Sequence, residues 1–85
     1  MVQEDRIREY ILTELLYDRD LPGLADDAPL IGNGYLDSMG IMVLVLWLEE
    51  AFGIKIDDDE VVPERLETIH SIATWTREKL ATPPQ

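Results

Sequence analysis

The chain has 85 residues, of which 46% are hydrophobic, and its 18 acidic and 7 basic residues give a formal net charge of −11. This length allows one domain, expected to span residues 1–85 with order from about 4 to 80 and a frayed tail at 81–85, and the hydrophobic content argues against disorder. The negative charge disfavours nucleic acid and membrane surfaces as partners and favours basic protein surfaces, while the lack of cysteine excludes disulfides and zinc-thiolate sites.

A first helix is predicted from Glu4 to Tyr17, because apolar residues recur there at helical spacing among charged ones. The stretch 18–37 that follows is rich in proline and glycine, so a long loop is predicted. A loop of this length in a small domain needs side chains that pack it, and we therefore expect an ordered loop. The residues available for this packing are Leu21, Leu24, Leu30, Ile31, Tyr35 and Leu36.

A second helix is predicted to extend to about Phe52, with Asp37 or Ser38 as its cap, since either short side chain can accept from the first-turn N–H groups. The segment 41–48 is apolar on every face, a pattern that would also suit a buried strand. The next four residues make the segment too long for a typical strand, and Gly53 supplies a helix stop. The helix is therefore preferred.

The acidic run 57–60 predicts the start of a short third helix that ends near Pro63. Thr68 is predicted to cap a last helix, whose apolar face is flanked by Trp75. That face comprises Ile69, Ile72, Ala73, Thr76 and Leu80. Three longer helices and a short third one predict an all-α fold, a small four-helix bundle with a long ordered loop between helices one and two.

Targeting and membrane signals are weak. The first ten residues mix charges without an apolar core, so no signal peptide is expected. The apolar run 41–48 is too short to span a bilayer. A cytoplasmic location without membrane association is the expectation.

Catalytic and metal sites are disfavoured by residue spacing. Asp18 begins a stretch similar to a calcium loop, but Pro22 occupies a ligand position and Pro29 stands where a bidentate glutamate belongs. His70, the sole histidine, cannot form a multi-histidine metal site and is predicted to lie on the surface of the last helix. A hydrolase elbow around Ser38 would need glycine where Leu36 stands. No metal ligands, no catalytic residues and no enzymatic activity are therefore predicted.

Ser38 belongs to a longer pattern, Leu-Ile-Gly-Asn-Gly-Tyr-Leu-Asp-Ser-Met at 30–39 followed by Leu-Glu-Glu-Ala-Phe-Gly-Ile at 48–54. A serine before an apolar run is commonly only a helix cap. The whole pattern, however, resembles the acyl and peptidyl carrier protein family over roughly residues 4–80. The resemblance implies that Ser38 accepts 4'-phosphopantetheine from coenzyme A and that the thiol of this arm carries cargo as a thioester. A helix N-terminus suits the phosphate, and a transferase would supply the catalytic groups.

Asp37 is predicted to act as a helix cap, as part of the surface that the transferase recognises, or as both. Partner recognition is predicted on helix two, where Met39, Met42 and Leu46 follow one another at helical spacing, although such a stripe can also face the core. Family members often carry acids in the first turns, where this chain has Gly40 and Val43, so we expect an apolar contact steered by peripheral acids. The predicted partner-binding residues are Met39, Met42, Val43, Leu46, Glu49, Glu50, Asp58 and Asp59.

The resemblance implies a discrete, monomeric carrier in a polyketide, nonribosomal peptide or fatty acid type pathway. Its partners would be a phosphopantetheinyl transferase, a cargo-loading ligase or acyltransferase, and a downstream synthase or transferase. The alternative is an unmodified helical adaptor that binds a protein through the apolar surface of helix two, since one fold can host several functions. The sequence does not select the cargo.

Overall fold

The computed structural model describes residues 3–16 and 24–81, and within these ranges every regular element is helical. The predicted all-α class is thereby confirmed. The α-helices are α1 (Gln3–Tyr10), α2 (Ser38–Phe52), α3 (Pro63–Leu66) and α4 (Ile69–Ala81), with a π-helical turn at Ile11–Leu15 and a 3-10 turn at Asp58–Glu60. The predicted end of the first helix at Tyr17, the first part of the long loop with its packing residue Leu21, and the predicted frayed tail at 82–85 lie outside the described residues.

The first predicted helix has two parts. It is α-helical to Tyr10 and then continues as a π-helical turn, in which the N–H of Leu16 donates to the carbonyl of Ile11 at 2.8 Å. Ile7, Ile11 and Leu16 are buried, and α1 packs against α4. The apolar spacing therefore located the buried side of this segment but did not reveal the change in helical pitch.

The part of the long loop that the structure describes, residues 24–37, is packed as predicted. Three of its leucines, Leu24, Leu30 and Leu36, are buried in the core. The backbone is tied to the segment before α4, because the N–H of Leu30 donates to the carbonyl of Glu67 at 2.7 Å. Ile31 and Tyr35 pack partly buried against the same core.

The third helix begins where the sequence predicted its end. The acidic run forms only the 3-10 turn, and Pro63 is the first residue of α3. Proline suits a first helical position, because its φ is already helical and its missing N–H has no partner to lose there. Glu60 at the end of the acidic turn instead accepts from the ammonium of Lys79 on α4 at 2.8 Å, and this contact lowers the pKa of its carboxyl.

The last helix is capped as predicted, since the Thr68 hydroxyl accepts from the N–H of Ser71 at 2.9 Å. Its buried face differs at two positions from the predicted one. Leu80 is 46% exposed, whereas Trp75, which was expected beside the apolar face, is buried. The guanidinium of Arg65 lies over the Trp75 ring. Helical spacing predicts which face of a helix is apolar. It does not predict how much of that face the neighbouring elements cover.

Candidate functional site

Asp37 caps the start of α2. The sequence left Asp37 and Ser38 as alternatives for this role. Asp37 has extended backbone angles, and its carboxylate Oδ1 accepts from the N–H of Gly40 at 2.7 Å. Its carbonyl accepts the first helical hydrogen bond, from Ile41 at 2.9 Å. Because the aspartate does the capping, the hydroxyl of Ser38, the first residue of the helix, is not needed for it.

The Ser38 side chain is exposed, and within residues 3–16 and 24–81 it makes no hydrogen bond or ion pair. His70 lies on the surface of α4, as predicted, with Nδ1 at 4.0 Å from a carboxylate oxygen of Glu4. An unassisted serine hydroxyl is a weak nucleophile at neutral pH. This hydroxyl can therefore be modified by an external catalyst, but the described residues supply no activating base beside it.

The surroundings of Ser38 fit a covalently bound phosphodiester. The N-terminus of the fifteen-residue α2 carries partial positive charge, and the first turn of the helix contains no acidic residue. Gly40 leaves room beside the cap, since a Cβ at this position would lie only 3.2 Å from the capping oxygen of Asp37. A phosphate on Ser38 would therefore be exposed to water and would meet little steric hindrance. The dipole of α2 would stabilise its negative charge.

The outer face of α2 carries apolar side chains that the core does not cover. Met39 is 75% exposed and Met42 67%, and Leu46 and Val43 on the same side are also exposed. Leu44 and Leu48 are the fully buried residues of this helix. The prediction that the methionine stripe faces outward is therefore correct, and its role in partner binding stays a prediction.

The four acidic residues that were predicted to contact partners lie in different surroundings. Glu50 is exposed, as are Asp58 and Asp59 in the 3-10 turn beyond the end of α2. Glu49 is half-buried, and its Oε2 accepts from the backbone N–H of Ile56 at 2.9 Å, which holds the segment after the helix. Glu49 thus has a structural contact that the sequence did not reveal.

Sequence reasoning missed two aromatic residues beside this face. Tyr10 of α1 and Trp47 of α2 stack with their ring centroids 4.3 Å apart. Burial and the charges of Glu14 and Glu50 raise the pKa of the Tyr10 hydroxyl. The pair lines a groove together with Val43, Leu46, Glu49 and Glu50. Only a contact between two helices brings these residues together, and no spacing within one helix indicates it.

A small helical domain with an exposed, unassisted serine at a helix start has the features of a carrier rather than of a catalyst. The sequence matches the family described as phosphopantetheine attachment site over residues 5–76. It is 32% identical over 69 residues to an acyl carrier protein of Desulforapulum autotrophicum, a match that covers 81% of this chain and 87% of that protein. The chain therefore belongs to the phosphopantetheine-attachment family, with phosphopantetheine as its covalent prosthetic group.

A solved structure contains a chain with the same fold. The chain superposes with a TM-score of 0.74 and 27% identity on a chain in a structure titled "Crystal structure of FAD-dependent dehydrogenase". The match covers 82% of this chain and 97% of the other. Carriers of this family interact with phosphopantetheinyl transferases and synthases and are not enzymes themselves. Within the described ranges no helix has both the length and the apolar character needed to cross a membrane.

Proposed function

We propose that Ser38 is the attachment residue and that this domain carries an acyl or aminoacyl thioester in a polyketide, nonribosomal peptide or fatty acid type pathway. The observation that carries the proposal is the exposed Ser38 hydroxyl on the first residue of α2, which has no hydrogen-bond partner among residues 3–16 and 24–81. It lies inside the family match at 5–76. The neighbouring Asp37 keeps the first turn in place by accepting from Gly40.

In the proposed modification, the Ser38 oxygen attacks the phosphorus of coenzyme A that bears the pantetheine. The new oxygen–phosphorus bond forms as the pyrophosphate bond breaks, and adenosine 3',5'-bisphosphate leaves. The hydroxyl proton passes to a base of the transferase, since the described residues provide none beside Ser38. When bound, the arm supplies a thiol that exchanges acyl groups, while the N-terminus of α2 stabilises the phosphodiester charge.

The exposed stripe of Met39, Met42, Val43 and Leu46 is the proposed docking surface for the transferase, the loading ligase or acyltransferase, and the downstream synthase or transferase. Methionine side chains adapt to several partners, which a carrier requires. Glu50, Asp58 and Asp59 lie at the periphery, where they would steer basic partner surfaces. Asp37, next to the modified serine, would be recognised by the transferase in addition to capping the helix.

A flavin-dependent dehydrogenase is a further candidate among the enzymes that act on the cargo. The support is the match to a chain of comparable length in a structure titled for an FAD-dependent dehydrogenase. A thioester carbonyl acidifies the adjacent C–H bond. Loss of this α proton to an enzyme base and of a β hydride to FAD would give an α,β-unsaturated thioester and reduced flavin, so that the electrons balance.

Intact mass spectrometry tests the attachment. Incubation with coenzyme A and a broad-specificity transferase should add the mass of one phosphopantetheinyl group, and Ser38→Ala should abolish the addition without unfolding the protein. Ser71→Ala is the matched control, because Ser71 is the other serine and its hydroxyl bonds only backbone groups near the start of α4. A chain that stays unmodified yet binds one protein tightly through Met42 would favour the adaptor alternative.

A further inference from the structure

One feature of the surface extends beyond the methionine stripe, although it shares Val43 and Leu46 with that stripe. It is the groove where the outer side of α2 meets the end of α1, here called the α1–α2 groove. Its lining residues are Tyr10, Val43, Leu46, Trp47, Glu49 and Glu50. They combine two stacked aromatic rings, two aliphatic side chains and two carboxylates, without a basic side chain.

The α1–α2 groove lies within reach of an arm on Ser38. At about 1.5 Å of rise per residue, Val43 is about 7.5 Å, Trp47 about 13.5 Å and Glu50 about 18 Å along the helix from Ser38. A phosphopantetheine arm has about fourteen bonds from the serine oxygen to its sulfur, and extended chains of that length span about 16 Å. Met39, 75% exposed, lies on the same outer face near the start of this path. A fully extended arm laid along α2 would therefore bring its sulfur past Trp47, and the cargo bonded to the sulfur would cover the remaining distance of about 2 Å to Glu50.

The charges of the α1–α2 groove select among cargoes. Glu49 is already satisfied by the Ile56 N–H, so Glu50 is the exposed acid of the lining. Tyr10 and Trp47 also line a second pocket, in which one basic residue, Arg6, accompanies two acids, Glu9 and Glu14. Together with Glu50, carboxylates therefore outnumber the guanidinium around the aromatic pair. The faces of aromatic rings attract cations, and a carboxylate beside them strengthens that attraction. An anionic cargo would be repelled, and a neutral one would gain nothing from the carboxylate, which water already solvates.

We propose that the α1–α2 groove receives the cargo of the chain's own arm and that this cargo is an aminoacyl group, with its ammonium against Trp47 and Glu50. The proposal rests on the proposed attachment at Ser38. It assigns a cargo class to the carrier, namely a small aminoacyl thioester rather than a neutral acyl chain. The apolar part of such a cargo would contact Val43 and Leu46.

A matched pair of cargoes tests the proposal. Coenzyme A analogues with amide-linked alanyl and isobutyryl groups differ only in that a methyl group replaces the ammonium, and both can be loaded on Ser38 by a broad-specificity transferase. The indole N–H resonance of Trp47 reports on the groove, and that of the buried Trp75 serves as an internal reference. We expect the alanyl form to shift the Trp47 resonance roughly two- to fivefold more than the isobutyryl form, with no difference at Trp75.

Charge variants identify the interaction. Glu50→Gln keeps the size of the side chain and should reduce the alanyl shift to the isobutyryl level. Glu64→Gln, at an exposed acid on α3 that does not line the groove, should leave the alanyl shift unchanged. Agreement of both variants with these expectations supports a cationic cargo held by Glu50.

The other outcomes overturn the proposal. Equal Trp47 shifts for both cargoes would mean that the groove does not distinguish charge. No shift in a chain whose mass shows the loaded arm would mean that the groove does not receive cargo, while attachment at Ser38 would stand. A shift that requires a loading enzyme would make the groove a protein docking surface. A chain that gains no mass would instead refute the proposed function.

Discussion

The ion pair between α1 and α4 provides a quantitative test of how the ends of the chain are held together. Both guanidinium nitrogens Nη1 and Nη2 of Arg77 donate to the Glu4 carboxylate at 2.9 Å. This pairing is the main cause that lowers the pKa of Glu4 from 4.5 to about 2, and His70 lies 4.0 Å from the same carboxylate. Glu4→Gln removes the charge while it keeps the side-chain length.

The expected loss of stability follows from this geometry. If the whole pKa displacement reported folding free energy, Glu4 would contribute about 3 kcal/mol. Arg77 is 41% exposed, however, and exposed ion pairs contribute about 1 kcal/mol or less because water screens them. We therefore expect Glu4→Gln to destabilise the protein by about 1 kcal/mol at pH 7, which corresponds to about 4–8 °C in Tm for a domain of this size.

The sign of the pH dependence is determined by the lowered pKa. A carboxyl with a lower pKa in the folded state stabilises the fold above its unfolded pKa, and this contribution is lost as the pH falls through the folded pKa. The difference between the parent and Glu4→Gln should therefore be constant at neutral pH and disappear between about pH 4.5 and pH 2. Urea titrations along a pH series measure it.

The exposed acid Asp5, whose partner Arg8 is on the same helix, provides the control, since Asp5→Asn should change stability by about 0.5 kcal/mol or less. An effect of Glu4→Gln that persists unchanged at pH 2 would refute this account of the ion pair. So would a double-mutant cycle with Arg77→Met that shows no coupling.

Three further predictions concern α2 and its outer face. Asp37→Ala should cost about 1 kcal/mol in urea unfolding, because the Gly40 N–H loses its acceptor, and Asp37→Asn should restore most of the stability; equal losses would contradict the capping role. Gly53→Ala should cost about 1 kcal/mol, since Gly53 ends the helix at φ 65°, and an unchanged Tm would contradict this. Met42→Lys should lower kcat/KM for transferase modification about tenfold at unchanged Tm, whereas Leu80→Lys, at an exposed apolar residue on α4, should not; equal effects would exclude specific docking on α2.

Much of the site could be predicted because its signals are local. An aspartate before an apolar run provides the oxygen that a helix start requires, and Gly53 provides the left-handed residue that ends it. The outward stripe of methionines was one of two interpretations of the spacing, and the structure places it outside because Leu44 and Leu48 occupy the core. Ser38 was selected by the pattern around it.

Sequence alone thus determined the helical class, the start and end of α2, the cap of α4 and the serine that the family resemblance singles out. Tertiary structure decided the features that depend on where helices meet. Trp75 is buried and Leu80 exposed because neighbouring elements cover one part of α4 and leave its last turn in water. The Tyr10–Trp47 pair arises where α1 and α2 come together, so the α1–α2 groove exists only in the folded protein.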